Sequence, residues 1–212
     1  MAAAHVRSGD FDNSIASTGT IIAVVKESTA VAVVTVAFNS TVPSVSAVID
    51  SGGNTYALLS KVTTNNTVEV WGSTGGAAST NVTVSHGSNR CHGAVEIVSG
   101  CDAFGSQSTA SGNDTAPTVT VSFTGGSLIV MGFASDDSAL PTASAGILRE
   151  AQNYGGGTKF SGGLITNSTA GTCAAVIGSA TWGVAAVECL MPSGGGGAVL
   201  YGQPSFCLTG IQ

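Results

Sequence analysis

Valine, alanine and other β-formers gather in short runs along this chain, cut apart by clusters of Gly, Ser, Asn and Thr. Residues 20–25 and 29–38 read as two strands, dense in β-branched side chains and parted by Lys26-Glu27-Ser28. Residues 44–50 and 55–61 flank Ser51-Gly52-Gly53-Asn54, a hairpin signal because glycine and asparagine accept positive φ. Residues 67–71 and 81–85 alternate apolar with polar positions, and 94–98 reads as a further strand before Gly100. A second hairpin is expected for residues 118–123 and 127–134 around Thr124-Gly125-Gly126. Strand patterns return at 147–151, 158–165, 173–177 and 180–190. Residues 1–18 read as an irregular arm and 102–116 as a long polar loop. The one segment with helical character is 143–152, weakened by Gly146 inside it. No internal repeat is visible.

Roughly ten to twelve short strands with Gly-rich turns predict an all-β fold, a two-sheet antiparallel β-sandwich of jelly-roll type. The expected organisation is an N-terminal arm over 1–19, a sandwich over 20–190, and a joint and arm over 191–212. That last part opens with Ser193 and four glycines, a flexible linker by composition. Val199, Leu200, Tyr201, Phe206 and Leu208 follow, and are expected to contact a neighbouring subunit of a homo-oligomer such as a trimer.

Composition sharpens this picture. Charged residues make up 8% of the chain, against roughly 25% in ordinary soluble domains. Apolar residues make up 43%, so the composition is not that of a disordered chain. The net charge is −6, and Arg7, Lys26, Lys61, Arg90, Arg149 and Lys159 are scattered. No basic stripe exists to neutralise several phosphates, which speaks against nucleic acid and against an anionic membrane as partners. The N-terminal MAAAHVRSGDFDNS lacks an apolar h-region and reads as non-secretory, and no apolar run has membrane-spanning length. Five cysteines, Cys91, Cys101, Cys173, Cys189 and Cys207, argue against a fully paired disulfide framework. Sequons such as Asn39-Ser40-Thr41 and Asn81-Val82-Thr83 are read as chance in a chain so rich in Asn and Thr.

Nucleophilic catalysis needs a base beside Ser or Cys. The histidines are His5, His86 and His92, and no Gly-x-Ser-x-Gly elbow accompanies them. His86, Cys91, His92 and Cys101 come nearest to a metal-ligand set, but Cys-x-x-Cys spacing is missing, so isolated thiols and surface histidines with no cofactor are expected. Cys91 and Cys101 bracket a strand. At ~3.3 Å per residue they lie far beyond the ~7 Å Cα separation a disulfide allows. Glu69, Glu96 and Glu188 interrupt strands, and two of them converging would suit glycoside hydrolysis. The plainer expectation puts each on a solvent face, with Glu188 half-buried or at an interface because Ala186 and Leu190 share its face. Asp10-Phe11-Asp12-Asn13 and Asp136-Asp137 offer oxygen ligands without calcium-loop spacing, so loop capping is expected. Trp71 and Trp182 fall inside strand patterns and are expected in the core rather than as sugar platforms.

The stretch VSAVIDSGGNTY at 45–56 resembles a motif of β-sandwich domains in phage virion and bacterial surface proteins, where a strand ends in Asp-Ser-x-Gly-Asn-Thr-Tyr. TVEVW at 67–71, AVEIVSG at 94–100 and WGVAAVECL at 182–190 are similar to its later strands in the same order, so the resemblance covers roughly residues 20–190. It implies a sandwich used in decoration, fibre or adhesion contexts. Few gatekeeping charges guard the Val/Ala strands, a hazard that permanent neighbours in an assembly remove. The expectation is therefore a non-enzymatic structural protein of a virion, such as a capsid decoration or cement protein, partnered by itself and by a capsid or other virion protein. The alternative is a secreted or surface-displayed glycan-binding module.

Overall fold

The computed structural model describes residues 2–13, 18–21, 24–41, 45–154 and 159–192. Its strands are β1 (Ala4–Asn13), β2 (Thr18–Ile21), β3 (Val31–Phe38), β4 (Val45–Asp50), β5 (Ala57–Thr63), β6 (Thr67–Ser73), β7 (Val82–His86) and β8 (Cys91–Ser99). The second half supplies β9 (Ala103–Asp114), β10 (Thr118–Thr120), β11 (Leu128–Ser135), β12 (Thr142–Ala145), β13 (Ile147–Tyr154), β14 (Phe160–Asn167), β15 (Thr172–Val176) and β16 (Ala180–Leu190). The expected all-β, antiparallel sandwich is present, and no helix occurs among the described residues.

The strands form four sheets rather than two. Two central sheets of five strands run β1-β8-β3-β6-β5 and β13-β14-β11-β16-β9, and two outer sheets of three run β2-β7-β4 and β10-β15-β12. Three hydrophobic layers hold the stack together. Val33, Val70 and Val98 of one central sheet meet Val130, Leu164 and Val187 of the other. Val34, Val36 and Ile97 point the opposite way, onto Val48 and Val84 of the first outer sheet. Met131, Phe133 and Ile165 do the same against Val119, Cys173 and Ala175 of the second. Burial on both faces explains why β3 and β11 read as nearly unbroken apolar runs: every position of each is buried. Close approach of the central sheets uses Gly132, where an added Cβ would lie 2.8 Å from Thr35 Cβ and 3.1 Å from Val68 Cγ1.

The two halves share one topology. Adding eight to each strand number turns β1-β8-β3-β6-β5 into β9-β16-β11-β14-β13 and β2-β7-β4 into β10-β15-β12, the observed orders. Across the central interface β1 lies over β13, β3 over β11 and β5 over β9, the arrangement a twofold axis through β3 and β11 requires. An internal repeat is therefore present in the fold although none is visible in the sequence.

Several local expectations are corrected. The arm expected over 1–18 contains β1, paired with β8 from Ala4↔Ser99 to Asn13↔Cys91. The loop expected over 102–116 contains β9, paired with β16. Both lie at sheet edges, where a strand needs few large apolar side chains. The two expected hairpins are turns between sheets. After the turn at Ser51–Asn54 only the bridge Ile49↔Thr55 forms, then β4 stays with β7 and β5 joins β6. Ser127 N–H donates to Thr124 O at 2.9 Å, closing the second turn, yet β10 pairs with β15 and β11 with β14 and β16. The helical reading of 143–152 fails because Gly146, at φ +92°, separates β12 from β13.

Candidate functional site

Glu69, Glu96 and Glu188 are 1%, 0% and 2% exposed, so the solvent-facing reading is overturned. Each sits on a central strand covered on both sides, where alternation leads from one packed layer to another and never to water. Glu69 accepts from Lys61 Nζ at 2.7 Å, Trp71 Nε1 at 2.9 Å and the Val45 amide at 3.2 Å. Glu188 accepts from the Thr124 amide at 2.6 Å, Ser127 Oγ at 2.8 Å and the Ser106 amide at 3.4 Å. Burial alone would raise the Glu188 pKa, but these donors together hold it below the usual carboxylate range. The three do not converge. Glu69 faces the first outer sheet, Glu188 the second, and Glu96 the layer between the central sheets, since the i±1 neighbours of each pack in the layer on the other side of its sheet.

Glu96 belongs to a polar cluster at the rim where β1 lies over β13. Its Oε1 contacts His5 Nδ1, while Ser8 Oγ donates to Glu150 Oε1 at 2.5 Å and Arg149 Nε donates to Thr166 Oγ1 at 2.9 Å. Burial pushes Glu96 up to about 8, with Arg149 opposing and Glu150 adding to the rise. Burial, then Arg149, lowers His5. Both directions run against the charged forms of the pair. Glu96 Oε2 has no partner. The cluster clasps one half to the other through Ser8 and Glu150. Ser8 and Glu150 were hidden from sequence reasoning because they fell in the segments read as arm and helix.

The His/Cys constellation is divided by the fold, and the expectation of surface histidines is corrected for His86 and His92, which are both buried. His86 Nε2 lies 3.4 Å from Cys91 Sγ, and the imidazole stacks on Phe11 and meets the edge of Phe38. His92 is on the opposite face of β8, 1% exposed, with neither ring nitrogen bonded, and burial pushes it down to about 4. Cys101 lies in the link between the halves. Among the described residues no group of three or more His, Cys, Asp or Glu is placed to hold a metal. Cys91, Cys101, Cys173 and Cys189 are buried, and none of the four is in a disulfide. Burial raises Cys101 to about 11 and Cys173 to about 12, so neither is a thiolate nucleophile near neutral pH.

The Asp50 loop gives the Asp-Ser-Gly-Gly-Asn-Thr-Tyr stretch a physical meaning. Asp50 accepts from the Gly52 and Asn54 amides at 3.0 Å, from Asn54 Nδ2 at 2.7 Å and from Tyr56 Oη at 3.1 Å. Burial opposes the charge, but these donors outweigh it and lower the Asp50 pKa. Beside it Lys26, 1% exposed, donates to the Gly75 carbonyl. Asp137 likewise caps a loop, accepting from the Ser138, Ala139 and Gly178 amides. Asp136 accepts from Asn66 Nδ2 at 2.9 Å. Trp182 is buried and donates to Asp114, and Trp71 is half-buried with its indole N–H on Glu69, so neither forms an exposed sugar platform. A cavity of about 560 Å³ opens between Thr29, Thr74, Gly100, Asp102 and Pro192. The residues expected to contact a neighbouring subunit, Val199, Leu200, Tyr201, Phe206 and Leu208, lie outside the described residues.

Comparison of the chain with family models, with curated proteins and with solved structures returns no match.

Proposed function

We propose that this protein is a non-enzymatic structural component of an assembly, of the decoration or cement kind carried on a virion, with itself and a capsid or other virion protein as partners. The observation that carries this reading is the fate of the three strand glutamates. Each is sealed in a different layer, so the paired carboxylates that hydrolysis of a glycan would require never meet. The strand order supports it. In each half β1-β8-β3-β6 and β2-β7-β4, with their counterparts, give the order of a jelly roll whose fifth strand has joined the neighbouring sheet, and we read each half as such a variant. Neutral Ser and Thr on the exposed positions suit a building block packed among neighbours better than a free solute.

The test is electron microscopy of particles from the natural source, labelled with an antibody to this chain. Label at regular positions on particles is the expected result. Label confined to the cell surface or soluble fraction, with glycan binding by the purified chain, would overturn the reading in favour of an adhesin-like module.

A further inference from the structure

We propose that β9 is a self-association edge: two copies pair β9 to β9, antiparallel about a twofold axis, and turn a five-stranded central sheet into a ten-stranded one. The inference goes beyond the assembly reading and holds wherever that assembly is found.

A strand at a sheet edge presents unpaired N–H and C=O groups, and proteins guard such edges with charge, proline or brevity. The two central sheets end in β1, β5, β13 and β9. β1 carries Arg7, Asp10 and Asp12, β5 carries Lys61, and β13 carries Arg149 and Glu150. The outer sheets end in β2, β4, β10 and β12, which are only 4, 6, 3 and 4 residues long. β9 has neither protection. At 12 residues it is long, it contains no proline, and from Ala103 to Asn113 it has no charged side chain. The repeat sharpens the contrast, because β9 holds in the second half the place that charged β1 holds in the first.

The chemistry of the edge selects the partner. Gln107, Thr109, Ser111 and Asn113 are exposed, and Ala110 packs on the core beneath. A strand with no charge offers nothing to a charged peptide. Against a second copy it sets no like charges opposite one another and allows Ser/Thr cross-strand hydrogen bonds. Two backbone groups are already engaged by side chains, the Ser106 amide by Glu188 and the Ser108 carbonyl by Ser60. The pairing therefore centres on residues 109–113. Clear of the bulge where β9 shifts register against β16, this stretch runs in unbroken ladder from Thr109↔Ala185 to Asn113↔Thr181.

The experiment uses the full chain. Sedimentation over a concentration series is compared for the natural sequence, for Thr109→Lys/Ser111→Lys, and for Thr142→Lys/Ser144→Lys on the short edge β12. All four positions are exposed. A reversible dimer is expected for the natural sequence and the β12 control, with the β9 variant dissociating more easily by at least about tenfold. Hydrogen exchange of the unsubstituted chain provides a second readout independent of any variant: those amides of 109–113 that point away from β16 should be slow in concentrated and fast in dilute solution, while the ones bonded to β16 stay slow in both. A natural chain that stays monomeric, a dimer indifferent to the β9 lysines, or slow exchange in the monomer of the 109–113 amides that point away from β16 would each overturn the proposal. The last outcome would assign the edge to residues 193–212 of the same chain. None of these outcomes bears on the particle labelling that tests the assembly reading.

Discussion

Glu96 and Glu188 close the same triplet, Ala-Val-Glu, in corresponding strands β8 and β16, yet they face opposite sides of their sheets. Ala94 and Val98 put Glu96 between the central sheets, whereas Val184 and Ala186 put Glu188 against an outer sheet. A shift of one residue in a strand exchanges its faces. The halves thus repeat a topology and not a residue pattern, and each glutamate has been built into a different polar arrangement.

Glu96 should give the protein an inverted pH dependence. Its folded value near 8 exceeds the model-compound value of 4.5. The folded state keeps a proton that the unfolded state loses, so this contribution is complete below 4.5 and declines as pH rises through 8. Between pH 6.5 and 8, above the interval over which His92 acts, urea midpoints should fall with pH in the natural protein and flatten in Glu96→Gln. Equal slopes in both proteins would refute the assignment.

His92 acts with the opposite sign. Its folded value near 4 lies below 6.5, so the unfolded state takes up a proton first and stability drops as pH falls from 6.5 towards 4. His92→Leu should remove that drop. It should also relieve two unpaired ring nitrogens, with a gain of about 1–2 kcal/mol near neutral pH. Loss of stability in chemical denaturation would count against it.

Asp50→Ala should cost about 3 kcal/mol, because four donors lose one buried acceptor. Asp50→Asn should recover part of this. The Asp50 pKa is lowered, so its contribution is present above the ordinary aspartate value of 3.8 and lost on acidification through the folded value. Urea unfolding of the three proteins at neutral and acid pH checks both the ranking and the sign.

Gly132→Ala should destabilise by about 1–3 kcal/mol, since the new methyl group would press on Thr35 and Val68 and wedge the central sheets apart. A variant as stable as the natural protein by calorimetry would show that the interface between the halves is looser than described.

Strands covered on both faces were the legible part of this fold. The runs that became β3, β8, β11 and β16 announce themselves by clustered valine, isoleucine and alanine, and β6 by its alternating valines. β1 and β9 were not legible, because an edge strand half in water is written in Arg, Asp, Ser and Gly, which also write loops. The turns at Ser51–Asn54 and Thr124–Gly126 were visible from their glycines, but a turn signal does not say whether the next strand pairs with the last one or crosses to another sheet. That ambiguity hid the four layers and the repeat. The burial of Glu69 and Glu96 was hidden with them, since alternation predicts a wet face only when one face of the sheet is wet.

Joining both halves in one chain has a consequence for valence. Were the pseudo-twofold pair made of identical subunits, any edge left open would occur twice, once in each central sheet, and each molecule could recruit a partner at both ends. Sheets would then extend without limit, as head-to-tail contacts do when they fail to close. Fusion lets the two edges diverge. With β1 charged and β9 neutral, the proposed pairing has one uncharged long edge to use among the described residues, and would stop at two.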